Sequence, residues 1–132
     1  MNMVNFSNVI FYVKDIQRAI AFYKNAFGFE PKFIHESNQY AEIDTGATVL
    51  AFASESLGES NLPQGYIHHD IKQVPFACEI VFTVSNVQEF YEKALKAGGI
   101  HVVAPEQKPW GQTVAYVRDP NGVLIDIASH LE

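Results

Sequence analysis

One order of elements is written twice in this chain: a strand, a capping residue, an amphipathic helix and a glycine, followed by three short strands. From Val4 to Val13 the side chains alternate, with Val9, Phe11 and Val13 on one face and Phe6, Asn8, Ile10 and Tyr12 on the other, which is the period of a strand. Asp15 then caps a helix whose apolar stripe is Ile16, Ala19, Ile20, Phe22, Tyr23, Ala26 and Phe27, and Gly28 stands where a left-handed stop is expected. Moved on by 71 residues, Val9, Phe11, Val13, Gln17, Ala26 and Gly28 fall on Ile80, Phe82, Val84, Gln88, Ala97 and Gly99. Asp15 falls on Asn86, another capping residue. Runs at 29–35, 40–44 and 47–53 after the first helix are answered by runs at 100–103, 113–118 and 123–128 after the second. Val49 to Ser54 echoes Leu124 to Ser129 at an offset of 75. Matched elements with matched caps and stops imply a duplicated βαβββ unit in one α+β domain over 1–132, with units at 1–54 and 77–130.

The stretch joining the units, 55–76, carries Gly58, Pro63, Gly65 and Pro75 and little periodicity. It reads as a loop, long for a compact domain, and serves either as a lid or as an arm that touches a second copy.

Composition narrows the function classes. A chain of 132 residues that is 48% hydrophobic is large enough to bury a core. Its net charge of -6, with Lys and Arg scattered singly, argues against nucleic-acid and anionic-membrane partners, which need a clustered positive field. No apolar run is long enough to span a bilayer, and the first residues lack a basic-then-apolar signal pattern. The single cysteine, Cys78, agrees with a reducing compartment, so a cytoplasmic location is expected.

The strongest local signal is TVAYVRDPNGVLIDI at 113–127, two strand-like runs around Arg118-Asp119-Pro120-Asn121-Gly122, a turn in which Pro sets φ and Asn-Gly tolerates positive φ. On the second run Leu124, Asp126 and Ala128 face one way and Val123, Ile125 and Ile127 the other. Asp126 is thus a carboxylate in an apolar strand, costly unless something pairs with it. Parity also sets Asn8 opposite Val9, Phe11 and Val13, and Glu79 opposite Ile80, Phe82 and Val84. Asn8, Glu79 and Asp126 are therefore expected to face away from the helices. Two carboxylates a few ångströms apart would raise one pKa and share a proton, as a general acid or base or as the acceptor for a cationic or hydroxyl-bearing ligand. Tyr12 and Phe6 share Asn8's face, and Trp110 enters the seventh strand, where its indole could stack on a planar ligand.

The duplication, with Phe-Tyr-Val-Lys-Asp-Ile at 11–16 opening a helix that carries Phe22-Tyr23 and ends in Phe27-Gly28, and with the 118–122 turn before an acidic strand, resembles the vicinal-oxygen-chelate superfamily. This is the glyoxalase/bleomycin-resistance/dioxygenase group; Pro109-Trp110-Gly111 is similar to its antibiotic-resistance branch. The resemblance implies two curled mixed β-sheets around a cavity, closed within one chain or across a homodimer, that holds a small organic molecule. It also implies ligand positions on the first and last strands of each unit, here Asn8, Ala51 (or Phe52), Glu79 and Asp126. No histidine occupies any of these. Binding without a standard His/Glu metal site, and with no assigned cofactor, is therefore expected. The alternatives are metal-free acid/base catalysis by Glu79 and Asp126, or a lyase, isomerase or dioxygenase of the glyoxalase type using a divalent metal. Such a metal would be a hard cation on the oxygens of Asn8, Glu79 and Asp126, not Zn²⁺ or Ni²⁺. His35, His68, His69, His101 and His130 match no ligand position.

Overall fold

The computed structural model describes residues 3–131. The first unit runs β1 (Asn8–Val13), α1 (Ile16–Phe27), β2 (Pro31–Ile34), β3 (Tyr40–Asp44) and β4 (Val49–Ser54). A short helix, α2 (Glu55–Asn61), follows. The second unit runs β5 (Ile80–Val84), α3 (Val87–Lys96), β6 (Ile100–Gln107), β7 (Thr113–Arg118) and β8 (Leu124–Ser129). Each unit makes its own four-stranded mixed sheet, ordered β1-β4-β3-β2 and β5-β8-β7-β6. β1 lies parallel to β4 and β5 parallel to β8, with the remaining pairs antiparallel. The first strand of each unit is left as a sheet edge, and the sheets do not close into one.

Capping explains the helices. Asp15 accepts from the Arg18 amide and Asn86 from the Glu89 amide, the same bond in both copies. Gly28 ends α1 in the left-handed conformation, φ 78°. The second stop falls one residue earlier than the repeat predicts: Gly98 takes the positive φ, 105°, and not Gly99. Gly99 is small for a different reason, since a Cβ there would lie 2.7 Å from the Ala94 carbonyl oxygen and 3.0 Å from the Phe22 ring. The joining segment also departs from expectation, because it opens with α2. Ser54 caps that helix by accepting from the Leu57 amide, with Glu55 in the first turn. Two turns are too few for a periodic stripe to declare itself.

The two long helices pack on each other and on the sheets, α1 on β3 and β4 and α3 on β6, β7 and β8. Tyr23 and Phe27 of α1, with Phe22 edge-on to both, meet Phe52, Phe82 and Phe90, with Tyr23 and Phe52 stacked at 5.2 Å and Phe27 and Phe82 4.8 Å apart. Ile43, Leu50, Val117, Ile125 and Ile127 complete a core continuous across both units. Full burial of rings such as Phe22 and Tyr23 is worth about 1.5–3 kcal/mol each.

The turn at 118–122 does more than reverse the chain. Gly122 takes φ 104°, while the Asn121 amide reaches α1: its Oδ1 accepts from the Asp15 N–H and its Nδ2 donates to the Asp15 carbonyl, each at 3.0 Å. Asp119, fully buried, accepts from the Tyr23 hydroxyl at 2.7 Å and from the Asn121 and Val123 amides. Arg118, also buried, donates among the described residues only to carbonyls, those of Gly122, Asp70, Ile71 and Gln73. One turn thus fastens the second unit to the first helix and straps down the joining loop.

Candidate functional site

The faces turned away from the helices carry the polar residues. On the first sheet, register aligns Ile10 with Ala51 and Ala51 with Glu42. Asn8 donates to the Tyr40 hydroxyl at 3.3 Å, and that hydroxyl donates to Glu42 at 2.7 Å. Burial, then Glu42, pushes the Tyr40 phenol up to about 12.

On the second sheet, Asp126 pairs with Val81 of β5 on one side and Tyr116 of β7 on the other, and Glu79 stands one residue before β5. Asp126 is 8% exposed, and its Oδ1 is buried without a hydrogen-bond partner. Burial, and next the Glu79 carboxylate, raise the Asp126 carboxyl from 3.8 to about 6, against the opposing pull of Tyr116 and Lys108. The Tyr116 phenol is raised in turn, by burial first and then by Asp126 and Glu79. Chemically, this is a raised carboxyl beside a second carboxylate, with one acceptor that lacks a donor.

Glu79 and Asp126 are therefore neighbours, whereas Asn8 belongs to the other sheet and is engaged by Tyr40. Tyr12 packs on Tyr66 at 5.2 Å, and its hydroxyl accepts from Asn61. Phe6 is exposed ahead of β1. Trp110 is 62% exposed, donates to Gln112, and lines a separate hollow with Ser129 and His130. Tyr116, Tyr40 and Glu42 escaped the sequence reading. Tyr116 was findable there, since counting outward from the hairpin turn, which pairs Arg118 with Leu124, sets residue 116 opposite 126.

The donor set does not fit an imidazole–carboxylate metal centre. The four inferred ligand positions offer an amide, a methyl group and two carboxylates, and no three His, Cys, Asp or Glu side chains converge among the described residues.

Two βαβββ units, each with helices on one face and polar groups on the other, define a paired-unit α+β protein. The chain belongs to the Glyoxalase/Bleomycin resistance protein/Dioxygenase superfamily, whose pattern matches residues 5–127. It is 29% identical to the metallothiol transferase FosB of Shouchella clausii, over 95% of this chain and 80% of that protein. It is 27% identical to 4-hydroxyphenylpyruvate dioxygenase of Dictyostelium discoideum over 92% of its own length, and spans only 32% of that enzyme. Among solved structures, a glyoxalase-related enzyme from Fulvimarina pelagi superposes with a TM-score of 0.82 at 20% identity, covering 97% of this chain and 89% of that one. No helix among the described residues is long and apolar enough to cross a membrane.

Proposed function

We propose that the protein binds a small organic molecule bearing an N–H or O–H donor on the open face of its second sheet, with Glu79 and Asp126 as acceptors and Tyr116 beside them. One observation carries this reading: the Asp126 Oδ1 is buried with no partner, and an unsatisfied buried acceptor costs roughly 1–3 kcal/mol until a donor meets it. The charge of the site favours a neutral or cationic ligand. A keto acid of the kind named for the dioxygenase relative would bring a third carboxylate to the pair, and such repulsion is unfavourable.

A second reading, acid/base catalysis by the same pair, is supported by the Asp126 carboxyl standing near 6, where a general base holds a useful fraction of both forms at neutral pH. Pairing into a homodimer is proposed as well, since Phe33 and Val81 are each more than two-fifths exposed on the sheets, outside the cleft beside Ile10.

The test is a carboxyl-detected NMR titration of Asp126 with tyramine, benzylamine and benzyl alcohol, in wild type, Glu79→Gln and Asp126→Asn. A donor that binds will pull the Asp126 titration below about 6, and both substitutions will weaken it. An unmoved titration with every probe, or binding indifferent to both substitutions, would reject the reading. Turnover of a bound probe that vanishes in Asp126→Asn would select catalysis over binding.

A further inference from the structure

We propose a second binding site, distinct from the Glu79–Asp126 pair, in the cleft between β1 and the joining loop, and we assign it to an uncharged planar aromatic compound with one hydrogen-bonding group for His69. The cleft holds about 470 Å³, within the range of small-molecule sites. Its walls are Ile10 and Tyr12 from β1 and Tyr66, Ile67, His69 and Phe76 from the loop, and neither carboxylate of the pair lines it.

Three features indicate what it takes. First, its walls are aromatic: Tyr12 and Tyr66 lie 5.2 Å apart, and His69 and Phe76 4.5 Å apart, so a flat ring finds faces and edges to stack on. Ile67, 76% exposed, and Ile10, 44% exposed, leave apolar surface in water for such a ring to cover.

Second, alongside the Tyr12 and Tyr66 hydroxyls and the Cys78 thiol, the lining carries the imidazole of His69, to which no hydrogen bond is made among the described residues. Burial, and next the Arg118 charge, hold its pKa below the usual histidine range, with Glu55 opposing; the ring is neutral and offers one donor and one acceptor. No carboxylate, lysine or arginine lines the cleft. Nearby, Glu55 is taken up by His68, and Arg118 by four carbonyls. An ion would lose its hydration there without a counter-charge.

Third, the cleft is preformed. Arg118 straps the carbonyls of residues 70, 71 and 73, which fixes the loop wall. At the far end Gly58 of α2 makes room for the two tyrosines: a Cβ there would lie 2.8 Å from the Tyr66 hydroxyl oxygen and 2.9 Å from the Tyr12 ring. A glycine in a helix costs stability relative to alanine, and here it leaves space for the cleft wall.

The experiment follows the Ile10 and Ile67 methyl groups and the His69 ring by NMR while indole, 4-methylphenol and the non-planar cyclohexanemethanol are added to the whole protein. Indole and 4-methylphenol will shift these signals saturably, at least tenfold more tightly than the alcohol. In the Glu79→Gln/Asp126→Asn double variant indole will shift the Ile10, Ile67 and His69 signals at the same concentrations as in wild type, so cleft binding is independent of the acidic pair. Gly58→Ala, which helix propensity alone favours, will push both tyrosine rings inward and weaken indole at least tenfold. Equal affinity for the non-planar alcohol would overturn the assignment, as would the absence of any shift at the solubility limit. Shifts of Ile10 and Ile67 on protein dilution alone would also overturn it, because a second copy would then be the occupant.

Discussion

Replacing Tyr23 by Phe removes one oxygen and leaves the ring in place. In the native chain that oxygen donates to Asp119 Oδ2 at 2.7 Å, while Oδ1 is served by two backbone amides. Both residues are fully buried, so no water replaces the lost donor. Removing one partner of a buried hydrogen bond costs about 1–3 kcal/mol, at the upper end when the group left behind is charged, so a loss of roughly 2–3 kcal/mol is expected. For a chain of this length the melting temperature falls by roughly 7–11 °C. Urea unfolding of wild type, Tyr23→Phe, Asp119→Asn and the double variant, monitored by far-UV circular dichroism, will give the coupling energy directly. The bond is strong only while Asp119 is ionised, and burial already raises that carboxyl. Tyr23 acts to lower it, so in the variant it rises further, and the gap between wild type and variant narrows as pH falls through this titration. A loss below 0.5 kcal/mol, or one that grows toward acid pH, would refute the view that this pair holds the two units together.

Two further outcomes are expected. Arg118→Met keeps much of the apolar stem but releases the carbonyls of residues 70, 71 and 73, so limited proteolysis should cut between Leu62 and Phe76 at least tenfold faster, with far-UV circular dichroism unchanged. For Asp126 the sign runs opposite to that of an ordinary carboxylate: its pKa is raised from 3.8 to about 6, so its contribution to stability is full below 3.8 and is lost as pH rises through 6. Asp126→Asn will therefore be the more stable protein at about pH 8, by roughly 1–2 kcal/mol after allowance for solvent screening, and that advantage will disappear below about pH 4 in parallel denaturant melts.

The strands, the two large helices and the duplication were legible because period-two and period-3.6 patterns are local and survive without tertiary help. The side chosen by Asp126 followed from the same parity. What was not legible depends on distance in three dimensions. Trp110 is near the seventh strand in sequence, yet its loop carries it to another hollow. Asn8 was read as a cavity residue from its face, but its partner Tyr40 comes from a strand 32 residues on and depends on sheet order. The glycine stop of α3 was misplaced by one residue because two adjacent glycines serve two demands, one of backbone and one of packing. The turn at 118–122 was read for its local geometry alone. Its wider role rests on Asp15 and Tyr23, 106 and 96 residues away, and no local pattern reports that.

The bonds from Asn121 to Asp15 and from Asp119 to Tyr23 also bear on how the molecule is made. The partners of the first helix lie 96 and 106 residues further along the chain, so the first unit leaves the ribosome with that helix lacking these tertiary hydrogen bonds. It must wait, with Tyr23 and Phe27 short of their later neighbours, until the second unit and its β7–β8 hairpin arrive. Contacts of such long sequence separation slow folding. They also make the two halves succeed or fail as one, so a truncated product has no finished half to accumulate.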